Sequence, residues 1–122
     1  MDKYITLLGR ILLAQIFIIA GIGKIMGYAG TQAYMASHGL PGVLLPLVIL
    51  LELGGGLALI VGWQTKWISY ALALFCVVAA IIFHHDFANA MQKINFMKNL
   101  AMAGGFLILA VYGPGALSLD KK

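Results

Sequence analysis

The stretch "WISYALALFCVVAAIIF", Trp67 to Phe83, runs for 17 residues without a charged side chain. Away from water, the backbone N–H and C=O groups of such a run must bond to one another, and a helix achieves this within one segment. With His84 added, the run is one of four similar segments, at about residues 4–27, 41–63, 67–84 and 96–113. Each approaches the ~20 residues that cross ~30 Å of hydrocarbon. Hydrophobic residues make up 62% of the 122-residue chain and charged residues 10%, against about a quarter charged in a soluble domain. A soluble protein of this size has too much surface to hide so much apolar material. The expected fold is therefore all-α: one domain over residues 1–122, a four-helix transmembrane bundle, up-down-up-down, with the lipid bilayer as its first partner.

The connections support this partition. "GYAGTQAYMASHGLPG" is the longest polar stretch, closed by Gly39 as a helix stop and Pro41 as a helix start, with room for a short interfacial helix. "GWQTKW" reads as a tight turn with Trp63 and Trp67 at headgroup level. "HHDFANAMQKIN" joins the third and fourth segments, and "GPGALSLDKK" leaves a short basic tail. Lys3 and Arg10 imitate the basic start of a secretory signal. Arg10 interrupts the apolar stretch, however, and no A-x-A site follows, so the segment reads as a retained span.

Orientation follows from basic residues. With both termini cytoplasmic, the inner side collects Lys3, Arg10, Lys66, Lys121 and Lys122, and the outer side Lys24, Lys93 and Lys98. This five-to-three bias is a positive-inside pattern, and it sets the orientation of the multi-pass chain. The basic residues are scattered and form no stripe, so nucleic acid is not an expected partner. Cys76 stands alone inside an apolar run, which rules out a disulfide within the chain and a CxxC redox pair.

From Val43 to Trp63 the only charged residue is Glu52. A carboxylate at mid-bilayer costs roughly 2.5–3.5 kcal/mol on insertion scales, so such residues face the bundle interior and pair with something. On an α-helix Gly55 and Gly56, at i+3 and i+4, share its face, mark a close helix approach and leave room for a ligand. Arg10, Ala14, Phe17, Gly21 and Lys24 form one face of the first helix. Tyr70, Leu74, Val77, Ile81 and His84, and Lys98, Met102, Gly105, Leu109 and Tyr112, are the corresponding stripes on the third and fourth. Helical side chains lean toward their own N-terminus, so in this topology Glu52 and Lys24 lean toward each other and Arg10 leans away. The axial gap is ~12 Å at 1.5 Å per residue, so Lys24 is the expected partner of Glu52, directly or through a bound head group.

The same topology gathers Lys24, His38, His84, His85, Asp86, Asn95 and Lys98 at the outer end. Neighbouring His84 and His85 point about 100° apart on a helix and would not chelate one ion from a single face. They read as an interfacial cap, with no metal site expected.

"GRILLAQIFIIAGIGKI", "YMASHGLPG", "LELGGGLALIVGW" and "FHHDF…QKINFMKNLAMAGGFL" together resemble the DoxX family of small bacterial inner-membrane proteins. The resemblance spans nearly the whole chain and implies a four-helix membrane protein. The family's name derives from a membrane subunit associated with thiosulfate:quinone oxidoreductase, which implies a link to redox complexes by analogy. The family-like positions are Arg10, Lys24, Glu52, His84, Asp86, Asn95, Lys98 and Asn99.

Three functions remain open on the sequence. The first is a subunit of a redox complex that binds a quinone between its helices. Glu52 would then exchange a proton as the catalytic residue, with Lys24, Lys98 or a histidine holding the head group. The second is a structural or assembly subunit whose polar network specifies helix pairing. The third is a small proton-coupled transporter, for which four helices require a homo-oligomer.

Overall fold

The computed structural model describes residues 2–84, 86 and 88–120, and every regular element among them is helical. The expected readings that use His85, Lys121 and Lys122 fall outside the described residues. Helix α1 is Asp2–Met26 and α2 is Tyr28–Ser37. A composite second span, Gly42–Val61, begins with a 3-10 turn and continues as α3 (Leu45–Ile49), a π-helical turn (Leu50–Gly54) and α4 (Gly55–Val61). Helices α5 (Thr65–Phe83) and α6 (Ala90–Tyr112) follow. Four of these helical stretches are long and apolar enough to cross a membrane. The chain is a multi-pass membrane protein.

Local signals account for the ends. Gly39 ends α2 at φ +81°, with Leu40 N–H donating to Met35 O and Gly39 N–H to Ala36 O, the pairing of a left-handed C-terminal cap. Gly62 ends α4 the same way, at φ +73°. Helix α6 starts earlier than the apolar pattern suggests. The Asn89 side chain accepts from Met91 N–H at 2.9 Å and Gln92 N–H at 3.3 Å, capping a first turn too polar to register as a span.

Helix α1 buries Arg10, Ala14, Phe17 and Gly21, the predicted stripe. The stripes expected on the last two helices are corrected. Helix α5 turns Ser69, Leu72, Ala73, Cys76 and Ala80 inward, while Tyr70, Leu74 and Ile81 face outward. Helix α6 buries Ala103, Phe106, Leu109 and Ala110, leaving Lys98 and Tyr112 exposed. In lipid nothing drives the bulky apolar residues inward, and small residues let helices approach closely. A helix apolar all round therefore gives no phase by hydrophobicity.

Helix α1 packs along the second span, α5 packs along α6, and the two pairs meet around Phe17, Leu72 and Phe106. The Phe17 ring lies 5.5 Å from that of Phe106 and 6.3 Å from that of Phe75. Arg10 reaches Leu59 while Lys24 reaches Glu52, so α1 and the second span run in opposite directions.

Candidate functional site

Glu52 lies inside the π turn. An extra residue in one helical turn widens it and re-aims its side chains, a distortion frequent at functional sites. Lys24, in the last turn of α1, brings its Nζ to 2.7 Å from Glu52 Oε1, with the Glu52 side chain only 4% exposed and that of Lys24 28%. At that distance the Lys24 ammonium is both countercharge and donor to the buried carboxylate.

The pair stands on the wall of a cavity of about 450 Å³. Phe17 and Ala20 of α1, Val48 of the second span, Phe75 and Cys76 of α5 and Met102 of α6 supply apolar walls. Lys24, Glu52, His84 and Asn99 are the predicted site residues that line it. His84 is held from α6, its Nδ1 lying 2.8 Å from Gln92 Oε1. One end of the cavity is roofed by α2, through Thr31, Tyr34 and Met35. The Tyr34 ring stacks on Phe83 at 5.3 Å, and His38 packs against both.

Six other predicted positions lie outside the cavity. Gly55 faces Leu72 and Ile68 of α5, whereas Gly56 faces Ile18 and the Ala14 carbonyl of α1. The glycines seat neighbouring helices, and the space beside Glu52 opens toward Val48 and Leu44 instead. Asp86 is exposed and accepts from Ala88 N–H at 3.2 Å, as a turn residue does. Asn95 and Lys98 do not line the cavity, and Lys98 is exposed.

Arg10 belongs to the opposite end. Its Nη1 donates to Leu59 O at 3.0 Å and Ile60 O at 3.2 Å, and its Nη2 donates to Leu117 O. A cation thus caps the carbonyl end of α4, where the helix dipole favours it. The tail closes over this contact. Leu119 N–H donates to Val61 O at 2.9 Å and Asp120 N–H to Gly62 O at 2.8 Å. Asp120 accepts from Gln64 N–H at 2.7 Å and Thr65 N–H at 2.9 Å, at the start of α5. Burial works against the Asp120 charge, but the bonds from Thr65 and Gln64 and the nearby Arg10 outweigh it and hold the carboxyl below the usual carboxylate range.

Sequence reasoning missed Tyr34, Phe83, Gln92 and Asp120. For Asp120 a signal existed, a carboxylate in a tail able to reach an uncapped helix start. For Tyr34 and Phe83 none did, because their stacking depends on how α2 folds back.

Comparison with known proteins decides the family. The DoxX profile matches residues 5–85. The chain belongs to the DoxX family. Inner membrane protein YqjF of Escherichia coli (strain K12) is 53% identical over 116 residues, covering 95% of this chain and 89% of the relative. Inner membrane protein YphA of the same organism is 38% identical, covering 97% and 89%. The Bacillus subtilis (strain 168) protein named "Putative oxidoreductase CatD" is 33% identical, covering 94% and 84%. No solved structure matches this DoxX-family chain.

Proposed function

We propose that this DoxX-family protein is an inner-membrane subunit of a redox complex that holds a quinone between its helices, with its head group at Lys24 and Glu52. The observation that carries the reading is an ammonium–carboxylate pair, its carboxylate buried, on the wall of a mostly apolar cavity of about 450 Å³. That volume falls within the roughly 300–1,000 Å³ of small-molecule sites, which combine apolar walls with a few placed polar groups.

The residues fit such a ligand. The Lys24 ammonium and the Asn99 amide can donate to ring oxygens, and Phe17 and Phe75 offer faces to a flat ring. A quinone, when bound, supplies a carrier of two electrons and two protons, with the electrons coming from a partner redox protein. Glu52 holds or releases a proton at its carboxylate, and the Lys24 ammonium beside it sets which state is favoured. Low dielectric around the pair strengthens both effects. A relative named as an oxidoreductase agrees with this reading. The five-to-three basic bias supports cytoplasmic termini, which puts the cavity in the outer half of the bilayer.

The test is small-molecule mass spectrometry on protein purified in mild detergent. Wild-type protein should retain a quinone near one per chain. Glu52→Gln and Lys24→Met should each reduce the bound amount at least tenfold while the helical content stays unchanged. An empty wild-type cavity that also takes up no added quinone would overturn the proposal. Loss of a partner membrane protein on deletion of the gene would then favour an assembly role.

A further inference from the structure

We propose that His84 carries protons between a bound quinone and the water at the Lys24 end of the bundle, and that Gln92 sets which ring nitrogen does so. This role rests on the quinone reading above and supplies the route by which its protons come and go.

One end of the cavity is closed to protons. Toward Arg10 it ends on Ala14 of α1, Leu59 of the second span, Leu72 of α5 and Phe106 of α6, all fully buried and packed in one cluster. A proton moves only where polar groups or water can receive it, and a layer of close-packed apolar side chains excludes both. Beyond that layer the Arg10 guanidinium is fixed on carbonyl oxygens, where its charge repels an incoming proton.

The lining at the Lys24 end is polar, but most of it is committed. Thr31 Oγ1 donates to Gly27 O at 3.0 Å, Tyr34 is stacked on Phe83, and Lys24 is paired with Glu52. The Asn99 amide does not titrate. His84 lines the same cavity and is only half-buried, and histidine is the side chain suited to exchanging protons near neutral pH.

The hydrogen bonds of His84 prepare it for that work. It stands just past the end of α5, its backbone N–H donating to Ala80 O at 3.0 Å. The ring Nδ1 lies 2.8 Å from Gln92 Oε1. An amide oxygen only accepts, so the proton in this bond belongs to Nδ1, and the neutral ring carries its free lone pair on Nε2. A proton taken up at Nε2 charges the ring without breaking the Gln92 bond, which becomes stronger as its donor becomes cationic. The charged groups on the cavity wall with His84 are Lys24 of α1 and Glu52 of the second span. From α6 it meets the neutral Gln92 and Asn99, and from α2 Tyr34, while His38 packs on the adjoining Phe83 ring.

Reduction adds two electrons from the partner protein and two protons to the two carbonyl oxygens of the quinone, leaving two hydroxyls. His84 gives one proton from Nε2, returns to its neutral form and is recharged from water. The Lys24–Glu52 pair gives the other. Quinol oxidation runs the same transfers backward.

The first test reads the tautomer, with the full chain labelled at its histidine nitrogens and purified in mild detergent. His84 is one of three histidines, and its resonances are those missing from His84→Ala. In the neutral ring Nδ1 should carry the hydrogen, the reverse of free imidazole in water, and Gln92→Leu should restore the usual form. A wild-type ring protonated at Nε2 instead would overturn the proposal.

The second test follows reduction of bound decylubiquinone by dithionite. In wild type the rate should fall at least tenfold from about pH 6 to about pH 9, because the imidazolium is the donor. His84→Ala should bind the quinone within threefold of wild type, lose the pH dependence and react at least tenfold more slowly at the acid end. Added imidazole should restore at least half of the lost rate. Gln92→Leu, which keeps the ring and changes only its tautomer, should slow the reaction at least threefold and serves if His84→Ala does not fold. Quinone bound as in wild type but reduced at an unchanged rate in both variants, or no rescue by imidazole, removes the role of His84 and leaves the quinone site standing. A wild type that binds no decylubiquinone removes the quinone site and this role with it.

Discussion

Lys24 ends α1 and is long enough to retreat toward the headgroups, whereas Glu52 is held in mid-span by its π turn. The two halves of the ion pair should therefore differ when removed singly. Lys24→Met strands a buried carboxylate and should cost about 3 kcal/mol in detergent unfolding, near the low end for a broken buried pair. Glu52→Gln should cost less, because the freed ammonium can snorkel. Combining them should recover about 1–3 kcal/mol relative to the sum, whereas Arg10→Met with Glu52→Gln should be additive, since Arg10 serves Leu59 and Leu117 instead. Additivity of the first pair in such a cycle would contradict the pairing. That partnership was legible in the sequence because helix direction and side-chain lean suffice to predict it. The fates of the three glycines were not, since the π turn changes what each one faces. A Cβ on Gly54 would meet nothing nearer than Leu50 Cδ1 at 3.8 Å, while one on Gly56 would come 2.8 Å from Ile18 Cγ1. Gly54→Ala should accordingly leave the melting temperature unchanged or raise it. Gly56→Ala should lower stability by about 1–3 kcal/mol.

Among the elements, the start of α5 is unusual in taking its cap from the far end of the chain. Asp120 accepts from the Gln64 and Thr65 N–H groups, and its folded carboxyl titrates below the usual value. A carboxylate lowered in this way contributes stability that is full above its unfolded value of about 3.9. The contribution is lost as pH falls through the lower folded value. Protease sensitivity of the tail should thus be low at neutral pH and rise only on acidification below that value, and Asp120→Asn should abolish the transition. A tail equally protected in wild type and variant across that range would refute the cap. At the other end of α6, Asn89→Ala should cost about 1 kcal/mol, visible as faster amide exchange in its first turn. Hydropathy located all four spans and missed the polar first turn of α6. Their inward faces were readable on α1, where Arg10 and Lys24 fix the phase, and on the second span, where Glu52, Gly55 and Gly56 do, but not on α5, where every side of the helix is apolar and Ser69, Ala73 and Ala80 turn inward because they are small.

At the scale of the whole molecule, two helix pairs enclose the cavity at the Lys24 end and are joined at the Arg10 end by the tail. The number of spans followed from composition. The cavity did not, because it arises from the spacing between the pairs and from a roof helix whose pattern is weakly amphipathic. Reporter fusions after Lys66 and after Lys122 should both read as cytoplasmic, and a periplasmic signal from either would reverse the orientation. The Arg10 contact with Leu117 spans 107 positions of sequence. During synthesis, at roughly 5–20 residues per second, Arg10 enters the membrane early and waits several seconds for its last acceptor to leave the ribosome. Until then the guanidinium has only its Nη1 acceptors, Leu59 O and Ile60 O. The tail therefore seals this end last: a copy that stops before Leu117 would possess all four spans and the Leu59 and Ile60 acceptors of Arg10, and would lack both the Nη2 acceptor and the Asp120 cap on α5.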